Sequence, residues 1–139
     1  MIVLDTNVIS EPMKARANPA VAAWLDRQAA ETLYLTTINL SEMLLGVELL
    51  PDGKRKRAMA VAMQELLAGL FGTRFLAFDR EAAAVYSLLV ARATAKGSAV
   101  GVADGQIAAI AAVHGFTVAT RDTAPFLAAG VPVVNPWKI

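Results

Sequence analysis

The sequence predicts an α/β fold, a three-layer α/β/α sandwich with a central parallel sheet of about five strands. Five short segments rich in β-branched or aromatic residues recur along the chain. They are apolar throughout and do not alternate between apolar and polar residues, as is typical of parallel strands that are buried on both faces. Longer segments with helical spacing of apolar residues separate them. This alternation of strands and helices is typical of a parallel sheet with right-handed crossovers.

The predicted strands cover residues 2–4, 33–37, 75–78, 117–120 and 131–134. Between them, apolar residues repeat at intervals of three and four positions, which predicts helices. These stripes run from Leu40 to Leu50, from Met59 to Leu70, from Tyr86 to Ala93 and from Ile107 to His114. Gly115 follows the last stripe, where a left-handed residue that ends a helix is expected.

The chain has 139 residues, enough for one well-cored domain over residues 1–139 and too few for two of ordinary size. Although 56% of the residues are hydrophobic, no uninterrupted apolar stretch approaches the ~20 residues that a membrane-spanning helix needs. The N-terminal segment lacks the basic flank and cleavage site of a secretory signal. We therefore expect a cytoplasmic protein without a membrane segment.

Composition also restricts the chemistry. The absence of cysteine excludes thiolate metal sites, and a single histidine leaves little material for a zinc site or a catalytic triad. A net charge of +1 provides no strong overall field for nucleic acid. The dense basic run 54–57 is expected to be a solvated helix start, with a phosphate-contacting rim as the alternative. Any catalysis must therefore depend on carboxylates.

Four acidic residues are candidates for a site: Asp5, Glu42, Asp104 and Asp122. Asp5 ends the first predicted strand and Asp122 follows the fourth, so both belong at the carboxyl edge of the sheet, where functional groups gather. Asp104 opens the helix that leads into the fourth strand. We expect such a helix to begin at the opposite edge unless it lies obliquely, so the residues alone do not place Asp104.

Glu42 lies among apolar residues on its own helical face and on the adjacent one, which predicts a buried carboxylate. A buried, unpaired carboxylate costs several kcal/mol or becomes neutral, and a bound metal would resolve this conflict. An arginine from elsewhere in the chain is the alternative partner. Each remaining acid has an ordinary alternative, since Asp5 and Asp104 could cap helices and Asp122 could occupy a turn.

Carboxylates gathered in one crevice repel one another unless a divalent cation compensates, and oxygen-only ligands favour Mg²⁺ or Mn²⁺. Such a site suits hydrolysis of a phosphodiester by metal-activated water, with a possible second metal at the leaving oxygen. Thr6 and Thr120 could hold carboxylates or waters, or could be ordinary strand-end hydroxyls. Arg121 is a candidate phosphate contact, with a surface salt bridge as the alternative.

Four segments resemble, in order and spacing, the motifs of PIN-domain proteins, especially VapC-type toxins of toxin-antitoxin pairs and their FitB-like branch. They are Ile2-Val3-Leu4-Asp5-Thr6-Asn7, Asn39-Leu40-Ser41-Glu42 followed by Gly46, Ala103-Asp104-Gly105-Gln106-Ile107, and Ala119-Thr120-Arg121-Asp122 with Phe126 and the segment 130–137. The resemblance covers essentially the whole chain. One departure concerns the last motif, because many relatives have asparagine at the position of Asp122 and an acid where this chain has Pro125.

The resemblance implies an α/β/α fold in which Asp5, Glu42, Asp104 and Asp122 converge, and it thereby supplies the placement of Asp104. It also implies a metal-dependent endoribonuclease that acts on RNA, forms a homodimer and is inhibited by a cognate antitoxin. It supports Asp122 less than the other three acids. Two other functions stay open: a degenerate PIN protein that only binds RNA or a partner, and a phosphatase, which would require a second aspartate where Asn7 stands.

Overall fold

Five parallel strands form one sheet in the computed structural model, which describes all residues from Met1 to Ile139. The strands lie in the order β3-β2-β1-β4-β5, and Val3 of the central strand is opposite Tyr34 on one side and Val118 on the other. Their bounds are β1 (Ile2–Leu4), β2 (Leu33–Thr36), β3 (Phe75–Leu76), β4 (Thr117–Ala119) and β5 (Val133–Val134). The fold class predicted from the sequence is confirmed.

Seven helices connect and cover the strands: α1 (Thr6–Ser10), α2 (Pro19–Asp26), α3 (Thr37–Glu48), α4 (Lys54–Leu66), α5 (Arg80–Ala95), α6 (Val102–His114) and α7 (Thr123–Ala128). The four apolar stripes correspond to α3, α4, α5 and α6. The other three helices have eight residues or fewer, too short for a stripe to repeat. A π-helical segment, Leu67–Phe71, continues α4, and short 3-10 turns lie at Glu11–Met13, Ala30–Thr32 and Pro136–Lys138.

The sheet separates two apolar cores. Leu4 and Leu35 pack on one face with Trp24 of α2 and with residues of α3 and α4. Val3 and Val118 pack on the other face, against α6 and α7. Alternate strand residues therefore enter opposite cores, which explains why the strands are apolar throughout. None of the helices combines the length and apolar character needed to cross a membrane.

Two glycines of α6 have defined roles. Gly115 ends the helix in the left-handed conformation with φ of 69°, as the sequence predicted. Gly105 lies where α6 packs against α5, and a Cβ atom at this position would be 2.8 Å from the ring of Tyr86 and 3.0 Å from Val90. The absence of a side chain at Gly105 therefore permits the close approach of the two helices and brings the start of α6 against its neighbour.

Candidate active site

Asp5 lies at the centre of the site because β1 is the central strand and Asp5 follows its last residue. It is only 7% exposed. Its Oδ1 accepts hydrogen bonds from the Thr6 amide at 2.8 Å and from Asn39 Nδ2 at 3.2 Å. The first of these bonds caps α1, so the capping role and the site role coexist. Burial raises the pKa of this carboxyl, although these hydrogen bonds oppose the shift.

Thr120 connects Asp5 to the segment after β4. Its fully buried hydroxyl donates to Asp5 Oδ2 at 2.8 Å and accepts from the Asp122 amide at 3.0 Å. Asp122 occupies the N-cap position of α7, but its side chain makes no capping hydrogen bond. Its negative charge instead raises the pKa of Asp5 further. The strand-end placement predicted for Asp5 and Asp122 is therefore what the structure shows.

Asn7 bridges these two acids, a role that the sequence alone did not assign. Its Nδ2 lies 3.3 Å from Asp122 Oδ2 and 3.5 Å from Asp5 Oδ2, and its Oδ1 accepts from the Arg121 amide at 3.3 Å. The amide donor thus lies between two carboxylates that would otherwise repel each other. In the sequence, the feature that points to this bridging role is the position of Asn7 two residues after Asp5, within the same motif.

Asn39 is the second residue whose role went unassigned, and it is fully buried. The chain passes directly from β2 into α3, and Thr36 caps that helix by accepting from the Asn39 amide at 3.1 Å. The Thr36 hydroxyl donates to Asn39 Oδ1 at 2.5 Å, so the side-chain amide is oriented with Nδ2 toward Asp5 and the Thr6 hydroxyl. A buried asparagine needs hydrogen-bond partners as much as a buried carboxylate does. In the sequence, the feature that points to this role is the position of Asn39 within an apolar segment.

Glu42 lies one helical turn beyond Asn39, on the same edge of the sheet. The expectation that its carboxylate is buried was wrong, because the residue is exposed. Two apolar residues that share its helical face are themselves exposed, Leu45 at 56% and Leu49 at 74%. Thr6 Oγ1 lies 3.5 Å from its Oε2. Desolvation by neighbouring side chains, and then the charges of Asp5 and Asp104, raise the pKa of this carboxyl.

Asp104 also reaches the carboxyl edge, and the expectation that its helix begins at the opposite edge was wrong. A helix that leads into a parallel strand runs antiparallel to that strand, so α6 begins where β4 ends. The pKa of Asp104 is raised by burial and then by the charges of Asp5 and Asp122. Gly101 is the N-cap residue of α6, so Asp104 lies in the first turn and is not the cap.

The four acids thus form a negatively charged site without a compensating cation. The three ion pairs of the chain involve Glu11, Glu48 and Asp52, and none involves a site acid. No three acidic or histidine side chains converge closely enough in the structure to hold one ion between them. Asp5 is held by short hydrogen bonds, whereas Glu42 has one long hydrogen bond and Asp104 has none. The side chains of Glu42 and Asp104 are therefore free to change rotamer.

Arg121 does not form the surface salt bridge considered as an alternative. Its guanidinium lies over the ring of Trp137, 5.3 Å from the ring centroid, while its charge helps to lower the pKa of Glu11. The largest contribution to that lowered pKa is the hydrogen bond from Lys14. Arg121 is thus held against Trp137, and it remains exposed to solvent.

The fold and this edge define an α/β/α protein with an all-oxygen acidic site. Residues 2–131 match the PIN domain family. The chain is 50% identical over 139 residues to the VapC ribonuclease Y4jK of Sinorhizobium fredii and 47% identical over 137 residues to the toxin FitB of Neisseria gonorrhoeae, with 99% of each chain covered. The crystal structure of FitAcB from Neisseria gonorrhoeae aligns over 100% of both chains, with a TM-score of 0.97 and 46% identity.

The chain therefore belongs to the PIN-domain family, and the resemblance predicted from the four motifs is confirmed. Relatives that cover its full length carry the names of a VapC ribonuclease and a toxin.

Proposed function

We propose that the chain is the ribonuclease toxin of a toxin-antitoxin pair and that it hydrolyses RNA phosphodiester bonds with Mg²⁺ or Mn²⁺. One observation carries this proposal: four carboxylates share one edge of the sheet, three of them with raised pKa values, and no side-chain cation balances them. Relatives named as a ribonuclease and as a toxin support it.

The residues present fit a divalent cation by their chemistry. Their donors are all carboxylate oxygens, which hard cations prefer, and their mutual repulsion would be relieved by positive charge. Asp5 would supply the rigid ligand, while Glu42, Asp104 and Asp122 would complete the set. When bound, one or two such ions would lower the pKa of water and neutralise charge on the phosphate. That Asp122 binds the ion directly stays a prediction.

The surrounding side chains orient this set. Thr120 and Asn39 each donate to one oxygen of Asp5 and so fix the plane of its carboxylate. Asn7 spaces Asp5 from Asp122. Partners of this kind keep ligand oxygens in place for a cation and a substrate phosphate. No side chain at this edge needs to act as a general base.

The first experiment compares cleavage of a structured RNA by the purified chain with Mg²⁺, with Mn²⁺ and with EDTA. We expect cleavage only with metal, and we expect Asp5→Asn to abolish it while the fold remains intact. Asp26→Asn is the matched control, because Asp26 is an exposed aspartate at the end of α2. Cleavage that persists in Asp5→Asn and in EDTA would contradict the proposal.

A readout independent of activity separates a metal site from a degenerate one. Mg²⁺ or Mn²⁺ should raise the thermal midpoint of the parent chain and of Asp26→Asn, because an ion that binds only the folded state stabilises it. Asp5→Asn should show no such rise. If metal stabilises the parent chain but RNA is never cleaved, the protein would instead be a binding subunit, the alternative function named from the sequence.

The toxin assignment also predicts an antitoxin partner and a homodimer. Large exposed apolar side chains are concentrated at the C-terminal half of α3 and at its C-cap, where Leu44, Leu45 and Leu49 are exposed. Such a patch is typical of an interaction surface, and we propose that a second copy covers it. Light scattering should report a dimer for the parent chain and for Leu127→Glu, but a monomer for Leu49→Glu. A dimer in both variants would exclude this surface. The cytoplasmic location stays a prediction.

A further inference from the structure

A pocket of about 510 Å³ lies beside the acidic edge and shares two residues with it, Thr6 and Glu42. Its floor is apolar and rich in methionine, with Met43 and Met63 buried and Met59 half-buried. Gly46 of α3 also lines it, and no atom lies within 4 Å of where its Cβ would be. The volume is within the range of small-ligand sites, about 300–1,000 Å³.

One free cation lines this pocket. Arg55 belongs to the basic run 54–57, and it forms no ion pair and no side-chain hydrogen bond. Lys14, the other cation of the lining, is paired with Glu11 at 2.8 Å. Lys56 is occupied by the Glu48 carbonyl and by Asp52. Arg55 is therefore the cation that is available to an anionic ligand in the pocket.

Helix stability does not explain this run of charge. Four consecutive cations open α4, no acidic residue lies in its first turn, and no side chain caps it. Cations at this end of a helix oppose its dipole. The structure thus places unpaired positive charge, at a cost to the helix, next to an apolar pocket that opens on the acidic site.

We propose that this pocket binds one unpaired nucleotide of single-stranded RNA next to the scissile phosphate, with the base among the methionines and a flanking phosphate on Arg55. The proposal rests on the ribonuclease function proposed above. An unstacked base needs an apolar surface and a phosphate needs a cation, and the lining offers both side by side. Methionine adapts to varied shapes and makes favourable contacts with aromatic rings, so the pocket suits a base.

The experiment measures RNA binding without cleavage. Full-length chain carrying Asp5→Asn is titrated in EDTA against a fluorescein-labelled single-stranded RNA, and anisotropy gives the dissociation constant at several salt concentrations. Adding Arg55→Gln should weaken binding about tenfold and reduce the salt slope by about 0.7, as expected for one lost phosphate contact on a single strand. Arg57→Gln is the matched control, because it removes the same charge outside the pocket, and we expect less than about a twofold change.

A second variant tests the base subsite. Gly46→Leu fills the mouth of the pocket from an exposed helical position that has space for a side chain, so folding should be retained. It should weaken RNA binding about tenfold, because the base loses its apolar contacts with the methionines of the pocket. Gly69→Leu, on an exposed glycine outside the pocket, should have no effect. Thermal unfolding confirms that each variant is folded.

RNAs that each contain one abasic nucleotide complete the test. One abasic position should weaken binding to the Asp5→Asn chain, and the same substitution should have little effect once Gly46→Leu already blocks the pocket. Equal losses in both chains would overturn the proposal, and so would equal effects of Arg55→Gln and Arg57→Gln. Weaker antitoxin binding by Gly46→Leu with unchanged RNA binding would assign the pocket to the protein partner. Because metal and cleavage are absent, failure here is distinct from failure of the ribonuclease function.

Discussion

Replacement of Asn39 by alanine tests how the site holds its central carboxylate. The side chain is fully buried, donates to Asp5 Oδ1 and to the Thr6 hydroxyl at 3.2 Å each, and accepts from the Thr36 hydroxyl at 2.5 Å. Alanine removes all three interactions and leaves a small cavity. Asp5 keeps its bonds from the Thr6 amide and from Thr120, so each of its oxygens retains one donor.

The magnitude follows from these contacts. A hydrogen bond to a charged group contributes about 1.5–3 kcal/mol and a neutral one about 0.5–1.5 kcal/mol. Because the Thr6 and Thr36 hydroxyls can rotate to other partners, we expect a loss of about 2–4 kcal/mol in the free energy of unfolding. Since Asp5 also loses an orienting donor, metal affinity or RNA cleavage should fall about 10–100-fold.

Urea denaturation measures the first effect, and RNA cleavage at several Mg²⁺ concentrations measures the second. Asn18→Ala is the matched control, because Asn18 caps α2 through the Ala20 amide at 2.9 Å, away from the acidic edge. It should cost about 1 kcal/mol and leave cleavage unchanged. If Asn39→Ala loses less than about 1 kcal/mol and cleaves RNA like the parent chain, the proposed role of Asn39 in positioning Asp5 is refuted.

Three further outcomes are expected. Gly105→Ala should lower the free energy of unfolding by about 1–2 kcal/mol in urea denaturation, because the clash of the new Cβ with Tyr86 exceeds the gain in helix propensity; an unchanged or higher midpoint would contradict this. Asp104→Asn should stabilise the metal-free chain at about pH 7 but not at about pH 3.5, when urea midpoints are compared. Because the pKa of Asp104 is raised in the folded state, its ionisation lowers the free energy of unfolding as pH rises from the ordinary pKa through the raised one. Below both pKa values this penalty is absent. A stabilisation by Asp104→Asn that is equal at both pH values would contradict the direction of the shift. Thr120→Val should reduce RNA cleavage about 10–100-fold with little change in shape, because Asp5 Oδ2 loses its 2.8 Å donor, and cleavage at the parent rate would exclude this contact as an orienting one.

Local patterns predicted the long elements of the fold. Parallel strands buried on both faces leave short apolar segments, and helices of twelve residues or more repeat their apolar spacing, so β1–β5 and α3–α6 were visible in the sequence. The predicted ends of the strands were less accurate than their existence and order. The last strand is only Val133–Val134, because the Val131 amide donates to the Phe126 carbonyl of α7 and Pro132 has no amide hydrogen for the ladder.

The acids were identified from the sequence, but their environments were only partly predicted. Asp5 and Asp122 lie where the strand-end rule places them. Glu42 was expected to be buried because its helical face is apolar, yet that face is exposed on α3. Apolar residues mark a core and an interaction surface equally well, and the sequence of one chain does not distinguish them.

The sequence by itself determined the kind of chemistry available, since it contains no cysteine and one histidine, and it determined the order in which strands, helices and acids follow one another. Tertiary structure alone decided which groups meet. Asn7 and Asn39 act on Asp5 through contacts that depend on side-chain direction, and the raised pKa values depend on burial and on charges distant in sequence. Residue type and spacing are local properties, whereas hydrogen-bond partners and desolvation arise only when separate segments pack together.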